Sequence, residues 1–111
     1  MKTNPLLQLS NKKDVGVYCA CTANDLVIEA TLEFARDNDS LVIIESTANQ
    51  VDQNGGYTGM TPLDFKNFVY AIADKVGYNK ERIILGGDHL GPLTWTKLNE
   101  AEAMENAKVL V

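Results

Sequence analysis

The stretch LVIIESTANQVDQNGGYTGMTPLDFKNFVYAIADKVGYNKERIIL, residues 41–85, decides the fold of this chain. It opens on Leu41-Val42-Ile43-Ile44, continuously apolar, as a parallel strand covered on both faces requires. A long polar and Gly-rich loop from Ser46 to Met60 follows. Thr61-Pro62-Leu63-Asp64 then starts a helix. Thr61 caps it, and Pro62 takes the first position, where a missing N–H costs nothing. Asp64 sets negative charge at the positive end of the dipole. The apolar stripe is Phe65, Phe68, Val69, Ile72 and Val76, and Gly77 supplies a left-handed stop. Arg82-Ile83-Ile84-Leu85 is the next strand, which makes the stretch one right-handed βαβ unit.

The same rhythm extends outward. Upstream, Val15 to Cys21 reads as a buried strand, and Asn24 caps a helix with apolar residues Leu26, Val27, Ala30 and Phe34. Asp37-Asn38-Asp39-Ser40 is a turn cluster. Asn4-Pro5 begins a short helix over residues 4–12, through Leu6, Leu7 and Leu9. Downstream, a further helix runs from about Asn99 to Val111. Three strands each followed by a helix set the helices on one side of a parallel sheet. That α/β arrangement closes naturally as a TIM (β/α)8 barrel, of which these are the first three units. Residues 1–111 are then the N-terminal part of a single barrel domain. A doubly wound sheet is the alternative, but the first βα turn, Thr22-Ala23-Asn24-Asp25, lacks the G-x-G-x-x-G of its dinucleotide version. Lys108-Val109-Leu110-Val111 ends on an apolar turn without a cap, and a three-stranded parallel sheet has two open edges. The expectation is therefore an unfinished unit.

Composition bounds the function. The chain has 111 residues, 45% hydrophobic content and net charge −5. Such a balance argues against nucleic-acid or anionic-membrane partners, and Lys12-Lys13 and Lys80-Glu81-Arg82 read as ordinary solvated charges. No apolar run reaches a membrane span and no signal peptide is visible, so a cytoplasmic location is expected. Cys19 and Cys21 share one face of a strand, where a mutual disulfide would be strained. They read as small buried thiols in a reducing compartment. A Cys-x-Cys metal corner is the lesser reading, because no second ligand pair lies nearby in sequence.

Active sites of barrels sit at the C-terminal ends of strands. Gly86-Gly87-Asp88-His89-Leu90-Gly91-Pro92 places the single histidine beside a carboxylate, between glycines that let the backbone turn sharply and approach a ligand. The histidine could ligate a metal and the Asp could exchange a proton with substrate. One histidine does not make a zinc site, and a pair that only satisfies backbone groups is an equal reading. The other informative end, Glu45 to Met60, exceeds an ordinary βα loop. Its carboxylate, amides and glycines (Glu45, Asn49, Gln50, Gly55, Gly56) suit a polyol or sugar phosphate. A decorated surface loop without a ligand stands beside that reading.

Taken together, Asn49-Gln50-Val51, Gly55 to Pro62, Ile72 to Gly77 and Glu81 to Pro92 resemble the non-catalytic subunit family of class II D-tagatose-bisphosphate aldolase, over essentially the whole chain. Members of that family are several times longer. The resemblance implies an aldolase-type TIM barrel acting as an accessory subunit in galactitol and N-acetylgalactosamine catabolism. Such a subunit supports the activity and stability of a separate catalytic subunit, which cleaves the sugar bisphosphate to glycerone phosphate and glyceraldehyde 3-phosphate. It also implies that Asp88 takes the place of a catalytic proton donor and His89 that of a zinc ligand. Zn2+ would then belong to the longer protein or its catalytic partner. The competing expectations are a barrel that is itself a metal-dependent aldolase or sugar-acid epimerase, and an inactive truncated product.

Overall fold

A computed structural model of the chain describes residues 4–111, so the first three residues of the expected domain lie outside it. Three strands, β1 (Cys19–Cys21), β2 (Val42–Thr47) and β3 (Ile83–Asp88), form one parallel sheet in the order β1-β2-β3. Helices α1 (Asp25–Asp37), α2 (Pro62–Val76) and α3 (Glu100–Leu110) follow the strands in turn. The chain is thus α/β with three sequential βα units, as expected for the opening arc of a barrel.

One face of the sheet carries the core. Val42 and Ile44 of β2 are fully buried against Ile28, Leu32 and Ala35 of α1 and Phe65, Val69 and Ala73 of α2. Burying each large aliphatic side chain contributes about 1.5–3 kcal/mol. Ile43, Glu45 and Thr47 alternate with them and point to the opposite, concave face, where they are only half-buried. Polar links join α1 to α2, and the end of α2 to the start of β2. The Arg36 guanidinium donates to the Val76 carbonyl at 2.5 Å, Lys75 pairs with Glu29 at 2.6 Å, and the Tyr78 hydroxyl donates to the Ser40 carbonyl at 2.6 Å.

The helix ends follow their residues. Thr61 accepts from the Asp64 N–H while the Asp64 carboxylate accepts from the Thr61 N–H, a complete capping box. Gly77 stops α2 at φ 73°, a left-handed conformation that a residue with a Cβ adopts at a cost. Asn24 caps α1, and Asn99 caps α3.

Several expectations need correction. The residue 4–12 helix is a single 3-10 turn, Pro5–Gln8, because none of its residues finds a surface to bury. Val15 to Val17 stay outside the ladder, so β1 is three residues long. The buried face of α1 is Ile28, Leu32 and Ala35; Leu26 and Phe34 are 71% and 59% exposed. Cys19 and Cys21 are exposed rather than buried, because they face the concave side, where nothing packs on them. Finally, β2 and β3 run further than the apolar cores of their sequences, to Thr47 and Asp88. Gly86 and Gly87 are therefore strand residues, and the left-handed residue at this end is His89, φ 53°.

Candidate functional site

Sheet register assembles the site. Cys21 pairs with Glu45 and Glu45 with Gly86, while Thr47 pairs with Asp88. Since alternate residues share a face, Cys19, Cys21, Glu45, Thr47, Gly86 and Asp88 all project to the concave side, at the C-terminal ends of the strands. Gly86 lies directly beside that carboxylate: a Cβ there would make ordinary van der Waals contact, 3.5 Å, with the Glu45 Cβ and Oε2. The donor atoms of Cys21, Glu45 and Asp88 all lie within 4.8 Å of one another. The Cys21 Sγ donates toward Asp88 Oδ2 across 3.8 Å.

Both thiols are open on one side yet held protonated. Partial desolvation, then the Glu45 carboxylate, pushes the Cys19 thiol up to about 12. Desolvation followed by the charge of Asp88 raises that of Cys21. His89 hangs outward, its side chain 80% exposed and its Nε2 3.6 Å from Asp88 Oδ2. The structure thus brings Asp88 and Glu45 together, with His89 at the rim. It adds Cys21, which the sequence offered only through a Cys-x-Cys metal corner, the lesser reading of that pair; its partners prove to be carboxylates of the neighbouring strands. The zinc implied by the family resemblance finds a thiol and two carboxylates here, a donor set that suits such an ion. The additional histidines of a His-rich site are absent from the sequence.

The loop after β2 is built from within. Asp52 is buried, and its Oδ1 accepts from the N–H groups of Asn54 (2.7 Å) and Gly56 (3.1 Å). Gln50 Oε1 accepts from the Thr47 N–H at 2.9 Å, and its carbonyl accepts from the Thr58 hydroxyl at 2.6 Å. Gly55 and Gly56 take φ of 107° and 54°, and a Cβ on Gly56 would strike the Gln50 carbonyl. Asn49 Oδ1 accepts from the Thr94 hydroxyl at 2.9 Å, which ties this loop to the segment after β3. The polar groups of Gln50 and Gly56 are engaged inside the loop, whereas Glu45 faces the concave side.

A family model described as "D-tagatose-1,6-bisphosphate aldolase subunit GatZ/KbaZ-like" matches residues 4–111. The chain is 59% identical over 97 residues to the D-tagatose-1,6-bisphosphate aldolase subunit GatZ of Escherichia coli O1:K1, which covers 87% of this chain and 23% of that protein. The GatZ of Escherichia coli O157:H7 gives the same identity and coverage. A crystal structure described as a probable tagatose 6 phosphate kinase from Sinorhizobium meliloti 1021 superposes with a TM-score of 0.83 at 51% identity, over 86% of this chain and 25% of that one. The chain spans about a quarter of the length of these relatives. It belongs to the GatZ/KbaZ-like family of D-tagatose-1,6-bisphosphate aldolase subunits.

Proposed function

We propose, from that membership, that this chain supplies the first three βα units of an accessory barrel subunit. In this reading the subunit supports the activity and stability of a catalytic class II tagatose-bisphosphate aldolase in the cytoplasm. The observation that carries it is the 59% identity to GatZ over 87% of the chain. In this reading the concave strand ends would face a sugar phosphate. Asp88 is the group with an open oxygen for proton exchange and His89 is the rim residue able to reach a metal. Glu45 would meet a polyol from the concave face and Asn49 from the adjoining loop, which Gln50, Gly55 and Gly56 shape. No described helix is long and apolar enough to cross a membrane.

The test uses a protein of the relatives' length. The matching N-terminal segment of an Escherichia coli GatZ is replaced by this chain, and the chimera is mixed with the catalytic aldolase subunit. A longer half-life and faster cleavage of tagatose bisphosphate than the catalytic subunit shows alone are expected. A folded chimera that gives neither would sink the proposal. The convergence of Cys21, Glu45 and Asp88 keeps a second reading open, in which the barrel is itself a metal-dependent aldolase or epimerase. That reading requires turnover by the chimera with no partner present, lost on Asp88→Asn.

A further inference from the structure

We propose that Cys21, Glu45 and Asp88 form a binding site for a thiophilic divalent cation of the zinc type. The three ligands come from three adjacent strands, and each strand's register sets its residue on the concave face. Their placement is thus fixed by backbone pairing rather than by a flexible loop.

The spacing fits an ion. Zinc binds thiolate sulfur at about 2.3 Å and carboxylate oxygen at about 2.1 Å, so two such ligands on a tetrahedral centre stand roughly 3.6 Å apart. The Cys21 Sγ and Asp88 Oδ2 are 3.8 Å apart, and the Glu45 oxygen lies within 4.8 Å of both. Small side-chain rotations bring all three onto one centre.

Charge points the same way. Glu45 and Asp88 bring two carboxylates together, and among the described residues neither has a lysine or arginine within ion-pair distance; Asp88 has only the exposed His89, at 3.6 Å. Two like charges on adjacent strands repel unless something positive stands between them. A thiolate beside carboxylates selects a borderline metal such as zinc over magnesium or calcium, which take oxygen ligands alone. On binding, the Cys21 sulfur exchanges its proton for the metal and the proton goes to solvent. Three protein ligands leave a fourth position open toward the mouth of the concave face.

This site differs from an Asp88–His89 pair in resting on Cys21, and it is tested with no aldolase present, so its failure is separate from failure of the accessory-subunit reading. The GatZ chimera carrying this chain is titrated with Co2+ and followed in the near ultraviolet for the thiolate-to-cobalt charge-transfer band, with bound metal counted after equilibrium dialysis. One equivalent of Co2+, a charge-transfer band and displacement by Zn2+ are expected. Cys21→Ser removes the band and Glu45→Gln weakens binding by about tenfold or more, whereas Cys19→Ser retains both. Far-ultraviolet circular dichroism of each chimera variant separates ligand loss from unfolding. Absence of the band in the unsubstituted chimera, its persistence in Cys21→Ser, or its equal loss in folded Cys19→Ser overturns the proposal.

Discussion

At Gly56 a single hydrogen in place of a side chain lets the loop after β2 close on itself. Its φ of 54° is left-handed, its N–H donates to buried Asp52 at 3.1 Å, and a Cβ would strike the Gln50 carbonyl. Gly56→Ala should therefore cost roughly 1–3 kcal/mol locally. Hydrogen exchange at the Tyr57 and Thr58 amides, which donate to the Asn49 and Gln50 carbonyls, reads this directly. Protection is expected to fall at least about fivefold, and unchanged protection would mean that the loop does not depend on this residue. The glycines and amides of this loop were legible in the sequence as unusual; that they serve the loop's own closure was not, because Asp52 gives no sign in sequence of being buried. The cation-capable cluster was legible in halves. Parity placed Cys19 and Cys21 on one face, and Asp88 and Glu45 stood out at strand ends. Which residue of one strand stands beside which of another is a matter of register, and no local pattern reports that for strands joined by long connections.

Among the elements, α2 was the most readable, since Thr61, Pro62, Asp64 and Gly77 each act within a turn of where they stand. Thr61→Ala removes the capping box and should cost about 1 kcal/mol, seen as roughly fivefold weaker protection of the first α2 amides. The Thr61 hydroxyl also holds the Asp64 carboxyl below its ordinary value. Its contribution is thus present above the usual carboxylate range and is lost as pH falls through the lowered value. Helix α1 was misread for a physical reason: it is apolar on two sides, and periodicity cannot say which side meets the sheet. Ile28, Leu32 and Ala35 do, and Leu26, Val27 and Phe34 form an open apolar surface with Tyr18. Tyr78, just beyond α2, fastens that helix to the start of β2 through the Ser40 carbonyl. Burial raises its phenol above the ordinary 10.0. A raised folded value means that its contribution is whole below about pH 10 and fades as pH climbs through the raised value. Tyr78→Phe should lose about 1 kcal/mol at neutral pH, from the missing hydrogen bond, and should flatten the alkaline limb of stability. An alkaline limb unchanged in Tyr78→Phe would assign that loss to another group.

For the molecule as a whole, the decisive quantity is uncovered surface. A compact chain of this mass exposes about 6,100 Å², whereas this one exposes 7187 Å². Its radius of gyration is 15.4 Å against about 13 Å for a compact domain of the same length. The excess has an address: the concave face of the sheet, the strand edges, and the apolar groove of Tyr18, Leu26, Val27, Ala30 and Phe34 on α1. In a closed barrel the first of these is the interior and the last is the flank that a neighbouring helix covers. Open parallel edges and apolar grooves leave the helix layer on the convex side as the main source of stability. The 111-residue chain by itself should consequently bind a hydrophobic dye and melt over a broad range, with far-ultraviolet helical signal outlasting near-ultraviolet tertiary signal. Joined to the remainder of a GatZ, the same residues should melt sharply and release the dye, because closure covers the concave face and α1 together. A sharp, dye-free melt of the monomeric chain would show that the convex core of Ile28, Leu32, Ile44 and Val69 suffices alone.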